Sequence, residues 1–486
     1  MDINSYKNSA SDYRKVIYNQ DKKIKKLETS NKEMNDELVK LRQTVSEQEK
    51  LINIYRNPIS RIKRKASTLN KIIHQNKNKP KENKDENIVK DEKPNKEENT
   101  KMIPYDSHYE ENLDFSNKTT DIKTLAFYLP QYHTFKENDE WWGKGFTEWT
   151  NVKKAKPRFE GHYEPRIPHD NFGYYTLDNS KILKKQVKLA KQHGIYGFCF
   201  YYYWFSGKRL LEKPVDIYLK DESIDFPFCF CWANENWTRS WDGLKKNILM
   251  EQKYSDDDPE KFIKDIKKYF DDKRYIRIDG KTLLLVYNPK EIPNYKNVVE
   301  KWRKTARDIG IGEIEIWSER DMAIDDISNI DFVDAEFDFA PHAFSSSVWK
   351  MNKFKDSNLY DCLYNYKSMT KDLQCDFYKE FYSIKPFIFS CTMGWDNSPR
   401  RKDEFFSYYE YSPRSFYEWL CEIIRETRRR NPEDKRYILV NAWNEWGEGT
   451  YLEPDKKYGY TNINTLSKAI YDIPYNDKNI QNKDNL

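Results

Sequence analysis

Apolar residues follow three different rhythms along the 486 residues of this chain. From residue 13 to 56 they return every seven positions, with Ile17, Ile24, Asn31, Leu38, Val45 and Ile52 at a and Leu27, Met34, Leu41 and Tyr55 at d. Mostly β-branched residues at a, leucine at d and one asparagine in the seam form the pattern of a parallel, in-register two-stranded coiled coil. Gln20 and Gln48 weaken two d positions, and Pro58 ends the run. The apolar stripe is too narrow for a helix lying on a globular core, so 13–57 is expected to dimerise.

The second stretch has almost no apolar rhythm. Ser60-Arg61-Ile62-Lys63-Arg64-Lys65, followed by Leu69, Ile72 and Ile73, is basic with helical spacing. It could touch an anionic membrane surface, or be a solvated helix end. From about 76 to 115 the chain is Asn, Lys, Glu, Asp and Pro with few apolar residues, too polar to bury a core. Residues 58–115 therefore read as a basic segment and a flexible, disordered linker.

The third rhythm is an alternation. Strand-like apolar runs at 123–128, 195–203, 226–232, 282–287, 313–317, 331–336, 386–390 and 436–441 are separated by amphipathic stretches at about 179–193, 258–270, 295–309 and 413–430, with a last one near 463–471. Buried strands alternating with helices predict an α/β domain over 120–475, a parallel (β/α)8 TIM-like barrel.

Composition narrows the chemistry. Lys+Arg of 84 against Asp+Glu of 79 leaves +5, which gives no electrostatic reason to expect a nucleic-acid partner. Aromatics reach 16%, with Trp 14 and Tyr 36, and such flat amphipathic rings line sugar clefts as well as cores. The 7 cysteines show no regular spacing, and Cys199, Cys229 and Cys231 fall in apolar runs, so reduced core thiols are expected, without disulfides or zinc. No P-loop, dinucleotide fingerprint, H-E-x-x-H or nucleophile elbow is present, and no metal or other cofactor is expected. The first residues lack a secretory apolar core, and no run approaches the roughly 18 apolar residues of a membrane span, which points to the cytoplasm, with the basic segment as a possible peripheral membrane contact.

A parallel barrel carries its chemistry just beyond the carboxyl ends of its strands. The first strand runs into Leu129-Pro130-Gln131-Tyr132-His133 and a loop with Trp141, Trp142, Glu148 and Trp149; the second ends at Trp204. The third gives Asn234, Glu235, Trp237 and Arg239, the seventh Trp395, Asp396 and Arg400, and the eighth Asn444, Glu445, Trp446 and Glu448. His133 could hold a sugar hydroxyl or serve structure, and Asp396 and Arg400 could bind hydroxyl or phosphate groups or form a loop ion pair. Glu445 and Glu448 stand three apart among tryptophan and glycine, so both can flank one bond, with one proton-loaded by its apolar setting and the other better solvated. Glu235 is a second candidate acid; Glu148 and Glu319 are weaker ones.

The segments AFYLPQYH, WWGKGFTEWTNV, GFCFYYYWF, WANENWTRSWDG and WNEWGEGTYLEP, in this order over residues 120–472, resemble the WbsX-type family of bacterial polysaccharide-biosynthesis proteins, which is similar to glycoside hydrolase family 99. The resemblance implies a (β/α)8 barrel working without metal, with Glu445 assisting attack by the sugar's own 2-hydroxyl and Glu448 serving as acid and base. It implies a glycan or sugar-donor substrate, with a transferase-like genetic role on a hydrolase-like fold; the cytoplasmic expectation then favours glycosyl transfer in cell-surface polysaccharide assembly of the O-antigen or capsule type. A retaining endo-α-mannosidase-like hydrolase and a non-catalytic sugar-binding scaffold are the alternatives.

Overall fold

The computed structural model describes residues 108–239, 244–320, 331–342, 359, 362–374, 385–401 and 405–476. The expected coiled coil and the linker up to residue 107 lie outside the described residues. What is described belongs to the second of two compact units, Glu98–Leu486.

One parallel sheet organises this unit. Its strands are β1 (Lys123–Tyr128), β2 (Ile195–Phe205), β3 (Phe228–Trp232), β4 (Lys281–Val286), β5 (Ile314–Glu319), β6 (Ala335–Phe337), β7 (Phe387–Ile388), β8 (Ser390–Thr392) and β9 (Tyr437–Asn441). Their spatial order is β7-β6-β5-β4-β3-β2-β1-β9-β8. The two ends of this path are neighbours in the chain, because only Phe389 separates β7 from β8. β7 pairs with β6, β8 pairs with β9, and the Leu439 N–H donates to the Phe389 carbonyl at 2.9 Å. The sheet thus curls into a nearly closed, TIM-like parallel barrel; each strand run expected from the sequence contributes to it, although the run 331–336 forms a strand only from Ala335 and the run 386–390 is split in two at Phe389.

The strands are apolar because both of their faces are covered. All of Phe228–Trp232 and Tyr437–Asn441 is buried. Outside them run the helices α1 (Ser180–Gln192), α2 (Lys213–Lys220), α3 (Asp258–Phe270), α4 (Tyr295–Asp308), α5 (Tyr366–Asp372), α6 (Pro413–Arg430) and α7 (Thr461–Ile470). In α3, Phe262, Ile263, Ile266, Tyr269 and Phe270 fall at helical spacing on the buried face, at about 1.5–3 kcal/mol for each large side chain removed from water. Acidic residues open α3 and lysines close it, matching the helix dipole. In α6 the Ser412 hydroxyl caps the first turn by accepting the Ser415 N–H at 3.1 Å, and Pro413 occupies the turn where its missing N–H costs nothing.

Residues 108–115, the end of the segment expected as linker, lie against α7. Lys468 Nζ meets Glu110 Oε1 at 2.7 Å, and the buried Phe115 ring stacks on Tyr471 with centroids 5.9 Å apart. Among the described residues no helix is long and apolar enough to cross a membrane.

Candidate active site

Past the end of β9 the chain makes a hairpin, Asn444–Glu445 against Thr450–Tyr451, with the tight turn Trp446–Glu448 between. Its two glycines allow what stands beside them. A Cβ on Gly447 would lie 1.7 Å from Glu148 Oε1, and Gly449 sits at φ 62° with the Arg166 guanidinium where a Cβ would be. The hairpin therefore approaches the first strand's loop, which carries Glu148 at the start of the short helix Glu148–Lys154.

Arg400 gathers the carboxyl groups. Its Nε donates to Glu148 Oε1, its Nη2 to Glu445 Oε2, and its Nη1 lies beside Glu448 Oε1, each at 2.8 Å. The side chains of Glu148 and Glu445 are 0% and 5% exposed, whereas Glu448 is 23% exposed and is the carboxyl open to a ligand. Burial pushes the Glu445 carboxyl up to about 8, with Glu448 and Glu148 adding to the shift and Arg400 opposing it. A carboxylic acid that titrates near neutrality can both give and take a proton at working pH. Burial would lower Arg400, yet the three carboxyl groups hold its guanidinium well above the usual range.

Aromatic rings wall this cluster. Tyr201 and Tyr203 of β2 sit close enough for Glu445 and Glu448 to raise their phenols further after burial has done so. The half-buried Trp237 ring stands edge-on to Tyr203 at 5.2 Å, Trp141 at 5.7 Å and Phe205 at 5.9 Å. Flat rings of this kind pack against the C–H faces of sugars.

The remaining expected residues have other duties. Asn444 is buried and clips the hairpin to the end of β1, its Oδ1 accepting the Leu129 N–H at 2.8 Å and its Nδ2 donating to the Leu129 carbonyl at 3.0 Å. Trp446 is buried, stacks on Tyr451 at 3.8 Å and donates to Glu453 Oε2 at 2.7 Å. Trp204 does not reach the cleft. It points outward and donates to Asp258 of α3 at 2.9 Å, since alternate residues of β2 face opposite ways. Asn234 is also buried and joins two loops, donating to the Asn288 carbonyl at 2.6 Å and accepting the Asn288 N–H at 2.8 Å, while the exposed Glu235 accepts Asn288 Nδ2 at 3.0 Å. His133 donates from Nδ1 to the Pro130 carbonyl at 3.0 Å, and burial lowers its ring to about 4, so Nε2 is a neutral acceptor. Trp142 packs on Phe146 at 5.9 Å, and Trp395 is buried 5.8 Å from His342. Asp396 stands apart from the carboxyl cluster in a network of its own. Glu319 ends β5, half-buried, and the Arg239 side chain lies outside the described residues.

Residues 124–466 match the family described as Glycosyltransferase WbsX. The chain belongs to the WbsX glycosyltransferase family. Uncharacterized proteins named WxcX from two strains of Xanthomonas campestris pv. campestris are 38% identical over 358 residues, 74% of this chain and 51% of theirs, so the chain spans about half the length of the curated relatives it matches. Among solved structures, a glycoside hydrolase family 99 endo-α-mannosidase of Bacteroides thetaiotaomicron is similar at 14% identity and a TM-score of 0.43, over 72% of this chain and 95% of its own. A glycoside hydrolase-like protein is similar at 16% identity and a TM-score of 0.46, over 76% and 96%.

Several residues of this WbsX domain that sequence reasoning did not single out shape the site. Glu453 accepts from Trp443, Trp446, Gln186 and Tyr175 and so fixes the base of the hairpin; burial raises its carboxyl to about 7. It sits in the W-N-E-W-G-E-G-T-Y-L-E-P segment, where tryptophan N–H groups that need acceptors are the signal. His162 and Glu164, together with the expected Asp396, offer ligand atoms within 4.8 Å of one another. They do not fit a resident cation: His162 accepts the Arg158 N–H at Nδ1 and donates from Nε2 to Asp396, and Arg166 already bridges both carboxyl groups.

Proposed function

We propose that this domain makes or remodels glycosidic bonds, with Glu445 and Glu448 as its proton-transferring pair and glycosyl transfer in cell-surface polysaccharide assembly as its reaction. The observation that carries this reading is the single Arg400 guanidinium holding three carboxyl groups at 2.8 Å beside Tyr201 and Tyr203. Three carboxyl groups on one guanidinium favour positive charge, which is what develops on the sugar ring as a glycosidic bond breaks. Glu445 is the buried partner; burial makes its ionised form, reached as pH approaches about 8, a stronger base than an ordinary carboxylate and able to take the proton of an attacking sugar hydroxyl. Glu448, the exposed partner, serves the bridging oxygen in this reading, as acid when the bond breaks and as base when the acceptor arrives. The family membership supports transfer over hydrolysis.

The test is turnover by wild type, Glu445→Gln and Glu448→Gln with 4-nitrophenyl glycosides and oligosaccharides. Each amide is expected to lower turnover by about 10²–10⁴-fold. Unchanged turnover in both variants defeats the assignment. Products formed with water or with a sugar as acceptor separate hydrolysis from transfer.

A further inference from the structure

Beside the carboxyl cluster lies a second buried set of charges that this chemistry does not use. Asp396 Oδ2 accepts the His162 Nε2–H at 2.5 Å and an Arg166 Nη2–H at 3.5 Å, and Oδ1 accepts the Ser398 backbone N–H at 3.0 Å. The Arg158 N–H occupies His162 Nδ1 at 3.0 Å, so Nε2 carries the hydrogen that is donated to the Asp396 carboxylate. Burial would raise the Asp396 carboxyl, but His162, Arg166 and the Ser398 N–H hold it down at about 2, ionised at any working pH.

Three links run from this set to the site. The Asp396 N–H donates to the Glu448 carbonyl at 2.6 Å. Arg166 lies where a Gly449 Cβ would stand, 2.7 Å from Nη2, and so supports the turn from one side. The Asp396 carboxylate also holds the turn that ends at Arg400, whose own N–H donates to the Asn397 carbonyl at 3.0 Å. We propose that Asp396, His162 and Arg166 form a positioning brace that sets Arg400 and Glu448 against Glu445. The brace deepens the glycosidic reading, on which its catalytic value rests, but it acts on geometry and is measurable without turnover.

Glu445 is faced by Arg400, Glu448 and Glu148 and by the phenols of Tyr132, Tyr201 and Tyr203. If the brace is lost, Arg400 withdraws and the Glu445 midpoint rises. A mere loss of negative charge at Asp396 would move it the other way, since one fewer anion eases ionisation. The experiment is a ¹³C NMR titration of the full chain labelled at glutamate Cδ, with Glu445 assigned by the resonance that Glu445→Gln removes. In Asp396→Asn the Glu445 midpoint is expected to rise by about one pH unit. His162→Phe, which fills the space without a donor, should raise it as well, whereas His162→Gln, which keeps an N–H, should leave it near wild type. Wherever the wild-type midpoint lies, an unchanged or lowered midpoint in whichever of Asp396→Asn and His162→Phe is folded overturns the brace. Absence of sugar turnover by the wild type would instead defeat the functional reading, and the titration would still decide this one.

Discussion

At the scale of single residues the site is governed by where one proton sits. Folded Glu445 keeps its proton up to about 8, while an ordinary glutamate releases it near 4.5. Between these values the native state binds more protons than the unfolded chain, so stability falls as pH rises through the window. Glu164, raised by burial to about 8, and Glu453 and Asp338, raised by burial to about 7, act in the same direction. Asp396, held at about 2, acts oppositely only below the ordinary aspartate range, and His133, lowered by burial to about 4, opposes the fall up to about pH 6.5 but is outnumbered by the four raised acids. The expected outcome is a Tm that declines from pH 5 to pH 8.5, with a shallower decline in Glu445→Gln, measured by calorimetry in matched buffers. A Tm that climbs over that interval contradicts the burial of these acids.

At the scale of elements, the strands were readable because each is a short apolar run bounded by polar turns, and α1, α3, α4 and α6 because their buried residues recur at helical spacing. The direction of a side chain on β2 was not readable. Both faces of that strand are covered, so Tyr201, Tyr202, Tyr203 and Trp204 look alike in sequence, yet Tyr201 and Tyr203 border the carboxyl cluster while Tyr202 and Trp204 bond to Asp265 and Asp258 of α3. That the Glu445 and Glu448 carboxyl groups stand together was legible from their spacing, whereas the convergence of Glu148 and Arg400 on them depends on a fold that joins distant loops. His162 carried no local signal, since its partner Asp396 lies on another loop. The hairpin element makes its own prediction. Gly447→Ala would drive a methyl group into Glu148 Oε1 and Arg400 Nε, displacing both, and turnover is expected to fall by about 10²-fold or more while the far-ultraviolet circular dichroism is retained.

At the scale of the whole molecule, two compact units divide the chain near residue 97. We propose that the heptads of 13–57 pair two copies of the chain. Sedimentation velocity should then give a dimer for the full chain and a monomer for a chain lacking residues 1–97; a full-length monomer at micromolar concentration removes the proposal.

The way the barrel wall is joined also sets an order of events during synthesis. β1, near the start of the unit, finds its second neighbour only in β9, Lys123 against Tyr437, and β8 needs β9 as well. A nascent chain leaving the ribosome in sequence therefore holds an open sheet with bare edges, rich in aromatic residues, until Asn441 has emerged. Glu445 and Glu448 follow within a few residues. An unfinished polypeptide thus lacks both the strand that brings the wall near closure and the acids proposed to work at its mouth, and the two arrive together.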